Sequence, residues 1–303
     1  CGWSLAYLQF AWSGQLAEQQ VSSVARLFAG LVADIKANML WSGVVTALAT
    51  GRCALGISRG LGLAARIIVP LVFAMLVVVA WTFRHFGDID HTMHYLFVSH
   101  WSQVSLATLV NAISQAFYSL TLGAGVFVAM GAYVPDRRDL VAAVAGVCVA
   151  DTLAAVLAGY VLLPLVFASN IAPEPGGSGL LFVSVPAAFG NVLYGVEMSI
   201  ALYLALALLT LLTVASLMEP LVATLNERLG LHRPVAALLV GGWAWLLAIA
   251  VAEYFSLDSM RGVVVDFNVM KVLGTGSQLL MPLVALLAVV CLGWGVKPQA
   301  GSK

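Results

Sequence analysis

Charged side chains are scarce in this chain: Asp, Glu, Lys and Arg make up 9% of its 303 residues, against about 25% in a soluble globular domain. So few charges cannot cover a water-facing surface, which excludes an ordinary soluble fold. The two signs balance at 14 acids and 14 bases, so no basic excess suits a nucleic acid. Cysteine is sparse too. Cys1, Cys53, Cys148 and Cys291 are scattered without metal-ligand spacing, and they read as packing residues. No nucleophile–base spacing, phosphate loop or metalloprotease helix occurs. Nothing here points to an enzyme.

What is abundant is apolar: hydrophobic residues make up 62% of the chain and its mean hydropathy is +1.00. The apolar runs are unbroken over about twenty residues, the length that crosses a bilayer as a helix, whereas a barrel strand would alternate. The fold class expected is therefore an all-α polytopic membrane protein, read as one transmembrane domain over 1–303. Eight segments are expected: 1–12, 38–51, 61–83, 105–134, 140–169, 195–224, 234–255 and 272–296. The first is too short to span alone. Because the chain opens CGWSLAYLQF with no methionine, basic leader or signal pattern, it reads as beginning inside a helix, a fragment with further spans upstream. The stretch 171–193 is apolar but broken by Pro173, Pro175, Gly176, Gly177 and Pro186, and reads as a re-entrant or capping hairpin on the outer face. Nine basic residues fall in loops on one side (Arg52, Arg59, Arg66, Arg137, Arg138, Arg228, Arg233, Lys297, Lys303) and five on the other. The richer side is expected to be cytoplasmic.

The segment 105–134 stands apart. It carries no charge over about thirty residues, longer than one span needs, yet Ser114, Gln115, Tyr118, Ser119 and Thr121 crowd its middle just before Gly123 and Gly125. Backbone freed by a break in hydrocarbon needs a partner, so a broken helix persists there when the break lines a cavity or binds a ligand. A long tilted helix with self-satisfied hydroxyls is the plainer alternative.

Asp151 lies mid-span in VAGVCVADTLAAVLAG, with no basic residue within ten positions on either side. An intramembrane carboxylate is expected to face a cavity and meet a proton or a cation; the alternative is a neutral acid bonded to a neighbouring helix. Thr210, Thr213 and Ser216 share nearly one helix face, which suits either a hard cation seeking oxygen ligands or ordinary interhelical bonding. Glu197 and Glu219, near the ends of the same run, read as interfacial groups. His91 and His94 beside Asp88 and Asp90 have metal-like spacing, although a hydrated loop reads as well.

Four stretches, GWSLAYL at 2–8, QAFYSLTLGAGVFVAMGAYV at 115–134, DTLAAVLAG at 151–159 and SLMEPLVATLNERLG at 216–230, resemble the bacterial, leucine-transporter-like branch of the neurotransmitter:sodium symporter family. GLLFVSVPAAFG at 179–190 resembles that family's outer hairpin. The resemblance implies the family's third to tenth helices, in an inverted-repeat fold truncated at the N-terminus. It also implies a multi-pass protein of the bacterial inner (cytoplasmic) membrane, performing sodium-coupled symport of an amino acid or similar zwitterion by alternating access.

Residue by residue, Tyr118, Ser119, Thr121 and Ala124 match substrate-lining positions, with Tyr118 as the aromatic lid, and Leu217 matches an apolar pocket wall. Ser119 and Asp151 match ligands of the first sodium site, where the family more often has asparagine at the second position. Ala155 stands where the leucine transporter has a glutamate, so Asp151 itself is expected to supply the negative charge and make chloride unnecessary. Leu209 and Thr213 match the second sodium site, but Leu212 replaces one of its two hydroxyls. Asp266 corresponds to an outer-gate acid. Two other readings remain: a proton-coupled carrier using Asp151, and a non-transporting receptor or accessory protein on the same scaffold.

Overall fold

The computed structural model describes residues 2–17, 20–56, 60–83, 87–98, 104–122, 125–131, 140–169, 177–190 and 192–260. Among them there is no β-strand; the elements are helices α1 (Gly2–Trp12), α2 (Val21–Ala33), α3 (Ile35–Ala54), α4 (Gly62–Phe83), α5 (Ile89–Phe97), α6 (Leu106–Ser119), α7 (Val126–Gly131), α8 (Leu140–Ala168), α9 (Gly177–Gly179), a π-helical turn at Leu180–Ser184, α10 (Val185–Phe189), α11 (Gly195–Leu229) and α12 (Arg233–Met260). The expected segment 272–296, Ala124 and Asp266 lie outside the described residues. Gly62–Trp81, Val141–Ala168, Gly195–Leu229 and Arg233–Glu253 are long and apolar enough to cross a membrane, and α2 with α3 makes a fifth candidate if that bent pair is one span. The chain divides into two compact units, 1–98 with 152–265 and 99–151 with 266–303.

In the first unit, the segment between the first two apolar runs is more ordered than its charges suggest. Val24, Phe28, Leu31 and Val32 form a buried helical stripe that makes α2. The chain then turns by 78° into α3, with Asp34 capping the new helix by accepting from the Ala37 amide at 3.1 Å. Asn38 secures the bend. Its amide nitrogen donates to the carbonyls of Leu31 (2.9 Å), Val32 (3.1 Å) and Asp34 (2.9 Å), while its oxygen accepts from the Trp3 indole at 2.8 Å. Those carbonyls belong to the end of α2, where helical partners run out. Asn38→Leu should therefore cost about 2 kcal/mol, read as a lower thermal midpoint in detergent than for Leu48→Ala at an exposed α3 position.

An aromatic cluster joins α1, α2, α11 and the π-helical turn Leu180–Ser184. Phe28 stacks on Phe182 at 5.7 Å, Trp3 meets both rings edge-on, and Tyr7 lies 5.2 Å from Tyr203. Lipid tails are as apolar as these rings, so close packing rather than removal from water holds such a cluster within a bilayer. Both phenols are buried and satisfied: Tyr7 donates to the Phe182 carbonyl at 2.6 Å and Tyr203 to that of Leu181 at 2.8 Å. The acceptors lie in the π-helical turn, so its irregular backbone is bonded by side chains from two other helices. Within 171–193, expected as a re-entrant or capping hairpin, the described residues 177–189 form short helical turns.

The histidine-rich segment also contains a helix. Asp88 caps α5 by accepting from the His91 amide at 2.9 Å, and its own amide donates to the Pro164 carbonyl at 2.9 Å. His91 stacks on Phe167 at 4.3 Å. Among the described residues no group of three or more His, Cys, Asp or Glu side chains could hold a metal; Asp88 and His91 instead make docking contacts.

Candidate functional site

The break in 105–134 lies in the second unit. Ser105 starts α6 with a capping box, exchanging hydrogen bonds with Thr108, and the helix ends at Ser119. Its end is a Schellman motif: the Leu122 amide donates to Phe117 at 2.9 Å and the Thr121 amide to Tyr118 at 3.1 Å. The left-handed position is Thr121, at φ +52°. Glycine or asparagine usually occupies that place, and a β-branched residue there is strained. The glycines suggest a break at Gly123 and Gly125; the helix in fact stops earlier, and Gly125 at φ +78° follows just before α7. Backbone strain of this kind gathers at ligand clamps and switch segments. The signal for it was the run of polar residues rather than the glycines.

The last helical residue carries the main contact. Ser119 Oγ donates to Asp151, lying 2.7 Å from Oδ1 and 2.8 Å from Oδ2. One hydroxyl thus faces both carboxylate oxygens across the gap between α6 and α8. Among the described residues no lysine or arginine forms an ion pair with Asp151. The result is a cluster of hard oxygens from a hydroxyl and an acid, the ligand type that a hard cation such as sodium takes. Tyr118 is 46% exposed and Thr121 half-buried beside it.

In the first unit, Leu209, Thr213 and Leu217 lie along α11. Thr213 donates to the Leu209 carbonyl at 3.0 Å, so the two oxygens expected in a second sodium site are neighbours on one exposed face. Leu212 packs against the cluster of Ala64, Ile68, Val72 and Ala205 between α4 and α11. The missing hydroxyl is thus replaced by apolar contact, not by another oxygen. Thr210 bonds back to Ala207 at 3.0 Å. Leu217 is 38% exposed.

Glu197 is exposed in the first turn of α11, where the helix dipole favours it. Glu219 differs from the interfacial group expected. It is fully buried and forms an ion pair with Arg233, the first residue of α12. Its Oε2 has no hydrogen-bond partner among the described residues. An acid inside a long apolar run, with an arginine opening the next helix, was the available signal for this pair.

The Sodium:neurotransmitter symporter family model matches residues 17–298. An uncharacterised sodium-dependent transporter of Bacillus subtilis is 25% identical over 226 residues, covering 75% of this chain and 50% of the relative. Another from Haemophilus influenzae is 27% identical over 193 residues, covering 63% and 42%. The chain spans about half the length of the curated relatives it matches. Its fold resembles the crystal structure of MhsT in complex with L-phenylalanine, with a TM-score of 0.84 and 28% identity over 98% of this chain and 67% of that one. With helices long enough to cross a membrane several times and a family match along nearly its whole length, the chain is a multi-pass integral membrane protein that belongs to the sodium:neurotransmitter symporter family, a family of transporters and not of enzymes.

Proposed function

We propose that the chain is part of a sodium-coupled symporter for an amino acid or related small zwitterion, acting by alternating access around the break in 105–134. The observation that carries this reading is the Ser119–Asp151 contact at the end of a helix broken by a strained Schellman turn. In the mechanism proposed, sodium takes oxygens of Ser119 and Asp151 and completes a substrate pocket lined by Tyr118, Thr121 and Ala124. For coupling, sodium must bind the outward-open state better than the inward-open one. The L-phenylalanine bound to MhsT supports an amino acid as the substrate class.

Leu209 and Thr213 offer a second cation two oxygens from α11. With Leu212 turned to apolar packing, that site holds its cation more weakly than a site with two adjacent hydroxyls. Asp151 brings its own negative charge, so no chloride is needed beside the first sodium. Equilibrium binding of labelled amino acids to the intact purified protein tests the sodium coupling and the charge assignment. Binding should appear with sodium chloride, persist with sodium gluconate, and vanish with choline chloride. Strict dependence on chloride would overturn the charge assignment to Asp151. Binding driven by acid pH without sodium would favour a proton-coupled carrier.

A further inference from the structure

A closed ring of contacts joins three helices one turn beyond the candidate second cation face along α11. Arg233 of α12 pairs with Glu219 of α11, and its Nε donates to the Cys53 carbonyl in the last turn of α3 at 2.9 Å. The Cys53 thiol in turn donates to the Ala215 carbonyl of α11 at 3.3 Å. The ring therefore grips α11 at two points, Ala215 and Glu219, one helical turn apart. Glu219 and Cys53 are buried, at 0% and 1% exposure.

The gripped turn is a weak one. Pro220 lies inside α11; it lacks the amide that would bond residue 216, and its ring crowds that carbonyl. A helix loosened there can bend. Thr213, two residues before Ala215, and Leu209 supply the two oxygens of the cation face. Because Leu212 supplies none, cation binding at this face depends heavily on where the backbone holds the remaining pair.

We propose that the Arg233–Glu219–Cys53 ring is a positioning device that braces the turn of α11 ending at Pro220 and so sets how the helix presents the Leu209–Thr213 cation face. This rests on the reading of that face as a sodium site. Arg233 and Glu219 act through the backbone and do not touch the cation. Breaking the ring lets the proline turn flex, tilts the Leu209–Thr213 turn as a unit away from its binding position and uncovers Cys53.

The test uses the intact protein in proteoliposomes, with Cys53 kept and its other cysteines replaced by serine. Arg233→Gln and Glu219→Gln should each raise the sodium concentration for half-maximal uptake by about fivefold or more. Substrate affinity at saturating sodium should stay unchanged, and Cys53 should react faster with N-ethylmaleimide. Arg233→Lys keeps the charge but cannot fork to both Glu219 and the Cys53 carbonyl, so it should show the same shifts in smaller measure if Arg233→Gln fails to fold. Adding Pro220→Ala to either variant should recover much of the lost sodium affinity, because the loosened turn is removed. A change in half-maximal sodium below about twofold, an equal loss of substrate affinity at saturating sodium, or no rescue by Pro220→Ala would overturn the inference. If the parent protein shows no sodium dependence, the proposed function fails and the inference with it. If its uptake is sodium-dependent but the variants leave sodium affinity and Cys53 labelling unmoved, only the ring's role falls.

Discussion

Asp151→Ala in the intact protein should reduce apparent sodium affinity by about a hundredfold or more, since even residues that merely orient a metal ligand cost up to about that much. In the proposed site Asp151 supplies the negative charge facing Ser119, whose hydroxyl reaches both of its oxygens. The alanine variant removes that charge and leaves Ser119 with nothing to hold across the gap. Ser119→Ala should be milder, because a neutral oxygen is lost while the charge stays. Asp151→Asn is the more informative change. It keeps an oxygen and the size of the side chain but removes the charge, so sodium-driven uptake should survive only when chloride is present to replace it. Half-maximal sodium measured in chloride and in gluconate separates the three variants. Equal behaviour of Asp151→Asn in the two anions would contradict the assignment of the charge.

The second large effect is structural. Gly195 opens α11 directly against the end of α10. A Cβ there would meet the Phe189 carbonyl, with the carbonyl carbon at 2.8 Å and Val192 Cγ2 at 3.3 Å. The obstacle is mainly backbone, which cannot swing aside as a side chain could. Phe189 is itself packed with Val161, Leu165, Val166 and Leu202 in a buried cluster, so the collision would push α10 away from α8 and α11. Gly195→Ala should cost about 3 kcal/mol, the upper end for overpacking, and Gly195→Val more. Gly242→Ala, where nothing lies within 4 Å, should be nearly neutral. Thermal unfolding of the three variants in one detergent is the measurement. A Gly195→Ala midpoint equal to that of Gly242→Ala would refute the close approach.

The sequence discloses the long apolar helices best, because about twenty uncharged residues leave few alternatives. Short amphipathic helices are harder to see. The stripe of Val24, Phe28, Leu31 and Val32 that buries α2 is masked in the sequence by Arg26, Asp34 and Lys36, which make the segment read as a loop. The same holds for α5, whose histidines and aspartates suggest hydration although Thr92 is fully buried.

At the candidate site the polar residues of 105–134 single out the stretch where α6 ends, and Ser119 and Asp151 are in contact. The sequence did not reveal which residue bends the chain. Glycines draw attention because they adopt positive φ freely, yet Thr121 takes the left-handed position of the cap. The left-handed residue of such a cap is set by where the helix ends, and α6 ends at Ser119. Glu219 was misjudged for a related reason. Position near the end of a run suggests access to water, whereas burial depends on α3 and α12 closing over it with Arg233 between them.

The most direct measurement is uptake of labelled amino acid by the intact protein in proteoliposomes under an inward sodium gradient. A choline gradient and a proton gradient of equal size serve as the comparisons. Concentrative uptake driven by the sodium gradient alone, and lost in Asp151→Ala, is the result expected. Uptake that follows the proton gradient and ignores sodium, or amino-acid binding with no uptake under any gradient, would contradict a sodium symporter built around Ser119 and Asp151.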